Sequence, residues 1–196
     1  MKLSRLLHLN QRHVQGTYLA VLLTILALGA GWWLKSSVNN QFQNFTDKGV
    51  NASIPAKWLV RSGLASDELV FSANPPLDIN YRFEVELLPV TPGGKITDLV
   101  INRNYTSGQN LHYYRVNDQN TTQVQGKSAY QVSYSYIKTD TPTNIPIVIK
   151  GTNFYIPFGD KILLVTLENS EASYEESLPQ FNAFLAKITY TGGGLP

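Results

Sequence analysis

Acid–base chemistry in this chain would have to come from paired carboxylates, and two such pairs occur, Glu84/Glu86 and Glu175/Glu176. A carboxyl pair divides into acid and base only where burial or a neighbour drives the two pKa values apart. Glu84 and Glu86 share the polar side of an alternating segment, and Glu175 and Glu176 share one polar helix turn. Both pairs are therefore expected to be solvated. Metal chemistry has even less to draw on. Histidines stand only at 8, 13 and 112 and cysteine is absent, so a zinc site would need His112 with carboxylates alone. Asp98, Asp118 and Asp140 lack the alternating oxygen spacing of an EF-hand loop. No Gly-x-Ser-x-Gly appears, and His112, beside Tyr113 and Tyr114, reads as an ordinary strand or loop histidine. Gly93–Gly94 and Gly192–Gly194 lack the Lys-Ser/Thr that completes a phosphate cradle. The sequence thus predicts no catalytic residue, no cofactor and no metal site. Tyrosine, with 11 residues, is the one enrichment suited to contact. Most tyrosines belong to sheet faces, whereas Tyr105, Tyr113 and Tyr114 flank loops, where an amphipathic ring could meet a protein partner or a sugar.

Whatever positions these residues begins with an oily segment. Tyr18 to Leu34 (YLAVLLTILALGAGWWL) is uncharged, and a helix over 16–34 is just long enough to cross a ~30 Å hydrocarbon layer. Tyr18 at one end, with Trp32 and Trp33 at the other, would sit at headgroup level. Lys2, Arg5 and Arg12 precede the span without an acidic residue, and only Lys35 follows closely. The positive-inside bias places 1–15 in the cytoplasm and the remainder outside. A cleaved signal peptide is the competing reading, given the small residues Ala27, Gly29, Ala30 and Gly31. The apolar stretch continues through Trp32, Trp33 and Leu34, which favours a retained anchor. Both readings export the rest of the chain. Ala27 and Gly31 form a small-xxx-small pair against which another helix could pack.

Residues 1–35 hold four of the 16 basic residues and none of the 14 acidic ones, leaving 12 basic against 14 acidic, net −2, in the remainder. A faintly acidic domain has no electrostatic footprint for nucleic acid, and that class of partner is excluded. Without disulfides the exported domain must be held by its own core, which its length allows.

Residues 35–48 are polar and Asn/Gln-rich and read as a stalk. The domain spans 49–190, and 191–196 (TGGGLP) is a flexible tail. Tyr81, Phe83, Val85 and Leu87 alternate with charged residues, and Tyr130, Val132, Tyr134 and Tyr136 alternate with Gln and Ser, as half-buried strands do. Phe154, Ile156 and Phe158 form a third such face. After a Gly159–Asp160 turn, Ile162–Leu167 is almost continuously apolar, as in a central strand covered on both sides and paired in a hairpin. Helical spacing occurs at Ile96–Asn104, and again after Ser170, which is placed to cap, through Tyr174, Leu178, Phe181, Leu185 and Ile188. Pro179 is expected to kink that helix or to begin its second segment. The pattern predicts an α+β domain, an antiparallel sheet with helices packed on it.

The order of landmarks is more specific than the class. Gly49–Trp58 (GVNASIPAKW) resembles the opening of PsbP-like proteins and their MOG and DcrB relatives, where a strand runs into a Pro-x-x-Trp corner. Gly126–Tyr134 (GKSAYQVSY) looks like their central hairpin strand, and the closing hairpin and aromatic-bearing helix stand where that family has them. The resemblance implies a PsbP/MOG-like α/β/α sandwich and a mostly non-enzymatic family. Its members include extrinsic or assembly factors of photosynthetic membrane complexes, envelope proteins and partner-binding proteins. The chain is accordingly expected to be a non-catalytic, single-pass, membrane-anchored accessory subunit, with its domain extracytoplasmic and integral membrane proteins as partners. The alternative expectation is an envelope module binding a small molecule or glycan.

Overall fold

The computed structural model describes residues 18, 20–32, 41–90, 93–139 and 145–192. The chain falls into two compact units, 1–41 and 42–196. In the first, a helix (α1) runs over 20–32. Val21, Leu22, Leu23, Ile25, Leu26 and Leu28 are each more than half exposed, so α1 is apolar all round. Thirteen helical residues measure ~20 Å, short of a ~30 Å hydrocarbon layer. Among the described residues no helix is long and apolar enough to cross a membrane. The remaining residues of the expected span, Trp33 among them, lie outside the described residues.

The second unit is built on strands. Strands β1 (Phe42–Asp47), β2 (Val50–Pro55) and β10 (Thr189–Tyr190) make a three-stranded sheet in the order β1-β2-β10. The larger sheet comprises β3 (Leu59–Ser62), β4 (Leu69–Asn74), β5 (Arg82–Pro89), β6 (His112–Val124), β7 (Lys127–Lys138), β8 (Ile147–Phe158) and β9 (Lys161–Ser170). Its order is β3-β4-β5-β9-β8-β7-β6, antiparallel throughout. Helix α2 (Ile96–Asn110) covers one face and α3 (Tyr174–Leu185) the other.

Strand periodicity explains the two cores, because alternate residues face opposite sides of the sheet. On the α3 side, Phe83, Val85, Phe154 and Leu163 pack with Phe181 and Phe184, and the Phe83 and Phe184 rings lie 4.9 Å apart. On the α2 side, Leu88, Val132, Tyr155, Ile162 and Leu164 pack with Val100. The centre of β9 is buried on both faces, as its nearly continuous apolar run requires.

Local differences from the sequence reading have identifiable causes. Residues 42–47, assigned to a stalk, form β1, because Lys48 and Gly49 (φ 48° and 77°) make a two-residue hairpin turn and Phe45 reaches Phe71. Helix α2 continues to Asn110 rather than ending at 104, and opens with the Lys95 backbone N–H donating to Asp98. Ser170 makes no side-chain cap; a 3-10 turn over Glu171–Ser173 leads into α3, and Pro179 lies inside that helix without ending it. The Pro55–Trp58 corner closes with the Trp58 N–H donating to the Pro55 carbonyl at 3.3 Å, with Lys57 at φ 72°. Trp58 then packs on Phe83 and edge-on to Tyr81.

Candidate functional site

Two places in the domain gather polar chemistry, and they lie on opposite faces of the large sheet. The first lies on the α2 side. There β5 presents its even-numbered residues Arg82, Glu84 and Glu86, and Glu168 of β9 stands directly opposite Arg82. Glu86 is not solvated, contrary to the expectation for an alternating polar face. It is 6% exposed and grips Arg103 of α2 through two hydrogen bonds of 2.8 and 2.5 Å. Such a fork-to-fork pair is the strongest ordinary ion-pair geometry, and here it ties α2 to the sheet. Ile96, Leu99 and Val100 lie on the side of α2 that packs on the sheet, and Arg103 falls one turn further along that side, which is why it points inward.

Glu168 accepts three groups: Arg82 Nη2 at 3.0 Å, the Tyr134 hydroxyl at 2.7 Å and the Tyr136 hydroxyl at 3.0 Å. Tyr134 reaches Glu168 across the intervening β8 only because Gly151 stands between them; a Cβ there would come within 2.3 Å of the Tyr134 ring. Desolvation disfavours charge on Arg82, but the Glu168 and Glu84 carboxylates outweigh it and leave the guanidinium more firmly protonated than usual. Burial, with the Glu168 charge, pushes the Tyr134 hydroxyl well up.

Glu84 has the poorest partner. Arg82 stands at 3.7 Å and is shared with Glu168. Burial raises the Glu84 carboxyl to about 7, Arg82 opposes the shift, and Glu86 adds to it. With Glu84 protonated, the two arginines balance Glu86 and Glu168. The sequence reading missed this cluster because it judged Glu84 and Glu86 on their own strand. The signal that could have found it was Arg103 on the apolar stripe of the next helix.

The second place is an open groove of about 630 Å³ between α3 and the β6–β7 end of the sheet. Phe154, Leu178 and Phe181 form its apolar side, and Gln123, Gln131 and Asn182 bring amides. A chain of hydroxyls crosses its floor: Ser133 to Thr152 at 3.2 Å, and Thr152 to Tyr174 at 2.5 Å. Among the described residues no carboxylate, histidine, lysine or arginine lines it. The titrating Glu84 lies on the other face, so groove and proton are separated by the sheet.

Residues named from sequence are dispersed. Tyr105 on α2 and Tyr113 on β6 are 70% and 84% exposed. Tyr114 turns inward instead, donating to Asn104 at 2.8 Å and packing 5.4 Å from the Tyr134 ring. Tyr18, two positions before α1, is exposed, as are Trp32, Ala27 and Gly31 on α1. His112 is exposed at the start of β6, and Glu175 and Glu176 face solvent on α3. Asp98 caps α2, Asp118 accepts from Asn120, and Asp140 lies outside the described residues. Among the described residues no group of three or more acidic, histidine or cysteine side chains could hold a metal ion.

An antiparallel sheet with a helix on each face, closed by a hairpin and a C-terminal aromatic helix, defines a PsbP/MOG-like α+β fold. Solved structures agree. The domain is similar to cyanobacterial PsbP (CyanoP) from Synechocystis sp. PCC 6803, with a TM-score of 0.56 and 14% identity over 76% of this chain and 92% of that one. A Bacteroides thetaiotaomicron protein matches with a TM-score of 0.52 and 9% identity, over 79% of this chain and 50% of that one. The Saccharomyces cerevisiae Ran-binding protein Mog1p gives 0.46 and 10%, over 78% and 97%, a weaker likeness that adds nothing to the fold assignment. At such identities the likeness concerns the fold alone. No protein-family model matches the sequence, and no curated protein is significantly similar to it.

Proposed function

We propose that this chain is a non-catalytic, single-pass accessory or assembly subunit of a larger membrane protein complex, with its domain on the extracytoplasmic face. The observation that carries the reading is α1, whose large apolar side chains are exposed on every side. A helix apolar all round finds its place in lipid or among other helices. The sequence is uncharged over 16–34, and Lys2, Arg5 and Arg12 before it favour an N-terminus on the inner side. The domain supports a binding role, since the groove presents no acid or base and Glu84 is engaged under α2.

The test is mild detergent extraction of the full-length protein, native electrophoresis and identification of co-migrating proteins. Migration with larger integral membrane partners is expected, and Gly31→Leu or Ala27→Leu should abolish it. Among the described residues no side chain lies within 4 Å of a Cβ built at Gly31, so the position has open space for a larger residue. Recovery of monomer alone would refute the subunit reading. The groove favours a second reading, an envelope module for an uncharged small molecule or glycan. Thermal stabilisation of the full chain by neutral oligosaccharides, lost in Asn182→Ala, would favour it.

A further inference from the structure

We propose that a second hollow, on the α3 face of the large sheet, binds a carboxylate and so anchors the charged end of a ligand whose uncharged body lies in the groove. This rests on the groove reading above and adds one charged end to an otherwise uncharged ligand, with the place where that end sits.

Strand register builds the hollow. Arg115 of β6 pairs with Ser135 of β7, which pairs with Lys150 of β8. Residues in one cross-strand row face the same side, and these three line a hollow of about 730 Å³ together with Asn117, Val148 and Glu171. Two strand spacings put the Arg115 and Lys150 Cα atoms about 10 Å apart, so both long side chains can converge on one small anion. The β6–β7 register shifts between Val116 and Asp118, which makes Asn117 the extra residue of a bulge. Asn117 Oδ1 accepts from Arg115 Nε at 3.1 Å and from the Ser135 hydroxyl at 3.4 Å. The guanidinium is thereby held by its inner nitrogen. Among the described residues no carboxylate pairs with Arg115, and its two terminal nitrogens offer the fork that a carboxylate fits.

Charge selects the ligand. Glu171 holds Lys150 at 3.3 Å, so Arg115, Lys150 and Glu171 leave the hollow at net +1, within a stretch, 36–196, that carries 12 basic against 14 acidic residues. One negative charge balances the hollow. A phosphate dianion would overshoot, and it would also meet Asp118, which follows the bulge opposite Ser133. The body of the ligand has a path to follow. Ser133 and Thr152 of the groove are the next same-face positions after Ser135 and Lys150, about 7 Å along each strand. Beyond them the groove offers amides, hydroxyls and an apolar wall, and no charge.

The test is isothermal titration of the full-length protein in neutral detergent micelles with two acids, each against its neutral counterpart. One pair is an acetylated, uncharged tripeptide as free acid and as C-terminal amide; the other is maltotrionate and maltotriose. At least one acid should bind about tenfold more tightly than its counterpart, and the responding pair tells a peptide source from a sugar source. Arg115→Gln or Lys150→Gln should remove most of that difference. Glu171→Gln raises the hollow to +2 and should tighten the acid several-fold with the neutral form unchanged, a gain that a misfolded variant could not show. Equal affinity for acid and neutral forms would overturn the proposal and leave the groove reading standing. An acid preference that survives both Arg115→Gln and Lys150→Gln would overturn it as well. Failure of all four compounds to bind would remove the groove reading and the proposal together.

Discussion

Gly151 lies on β8 between Glu168 of β9 and Tyr134 of β7, and the Tyr134 ring is laid across it to reach the carboxylate. Its backbone is not in the left-handed region, so alanine fits the chain and only the methyl group matters. That methyl would sit 2.3 Å from Tyr134 Cζ and 2.6 Å from its hydroxyl oxygen. The ring, 5% exposed, must move, which breaks the 2.7 Å bond to Glu168. Loss of a hydrogen bond to a charged group costs about 1.5–3 kcal/mol, and overpacking costs about 1–3 kcal/mol. The lower backbone entropy of alanine returns about 0.5–1 kcal/mol. Gly151→Ala should therefore destabilise by about 3 kcal/mol. The measurement is urea unfolding of the full chain in detergent micelles, followed by fluorescence of Trp58, the one tryptophan in the domain. In a Tyr134→Ala background the same change should cost less than about 1 kcal/mol, a coupling of about 2 kcal/mol or more. Additive effects in the double mutant would show that the ring is not what glycine makes room for.

Three further expectations concern the charged cluster and the core on the opposite face. Folding raises the Glu84 carboxyl from 4.5 to about 7, so the folded state holds a proton that the unfolded state has released. Stability from this group is complete below about pH 4.5 and lost as pH rises through about 7, by about 3 kcal/mol. Glu84→Gln should flatten that slope in unfolding measured from pH 5 to 8, and an unchanged slope would refute the assignment. Arg103→Ala strands a carboxylate that is 6% exposed and should cost about 3 kcal/mol, at the lower end for a buried pair because Arg103 is one-third exposed. Replacing both Arg103 and Glu86 with leucine should recover most of that loss, read by the same unfolding curve. Phe181→Ala empties the centre of the α3 core and should cost about 3–5 kcal/mol in thermal unfolding.

Much of the sheet was legible because its signals are local. Ile162–Leu167 is apolar at every position but Thr166, a run that a central strand buries on both sides, and β9 is that strand. Gly159–Asp160 makes the tight turn of the β8–β9 hairpin. The strand within 42–47 was illegible for the same reason. Its residues are polar on their own account, and the pairing depends on the Lys48–Gly49 turn and on Phe71, 26 positions further along the chain. The groove was equally hidden, since its walls come from β6, β7, β8 and α3, and no single segment shows a concave surface.

The charged cluster shows why polar alternation is an ambiguous signal. Period-two patterning reports that two faces differ in chemistry, and says nothing about which of them meets water. Glu84 and Glu86 match the pattern of a solvent face, but a helix covers that face, and the charges persist there because the covering helix brings Arg103. A strand under a helix can keep carboxylates only where the helix or a neighbouring strand returns a cation or a hydroxyl to each. Glu86 receives Arg103, Glu168 receives Arg82 and two tyrosines, and Glu84 has a share of Arg82 and a hydrogen bond with the carboxyl of Glu86. The least-matched carboxyl is the one whose pKa rises to about 7. The stability of this face is therefore set by partner supply across strands, a quantity that β5 alone cannot express.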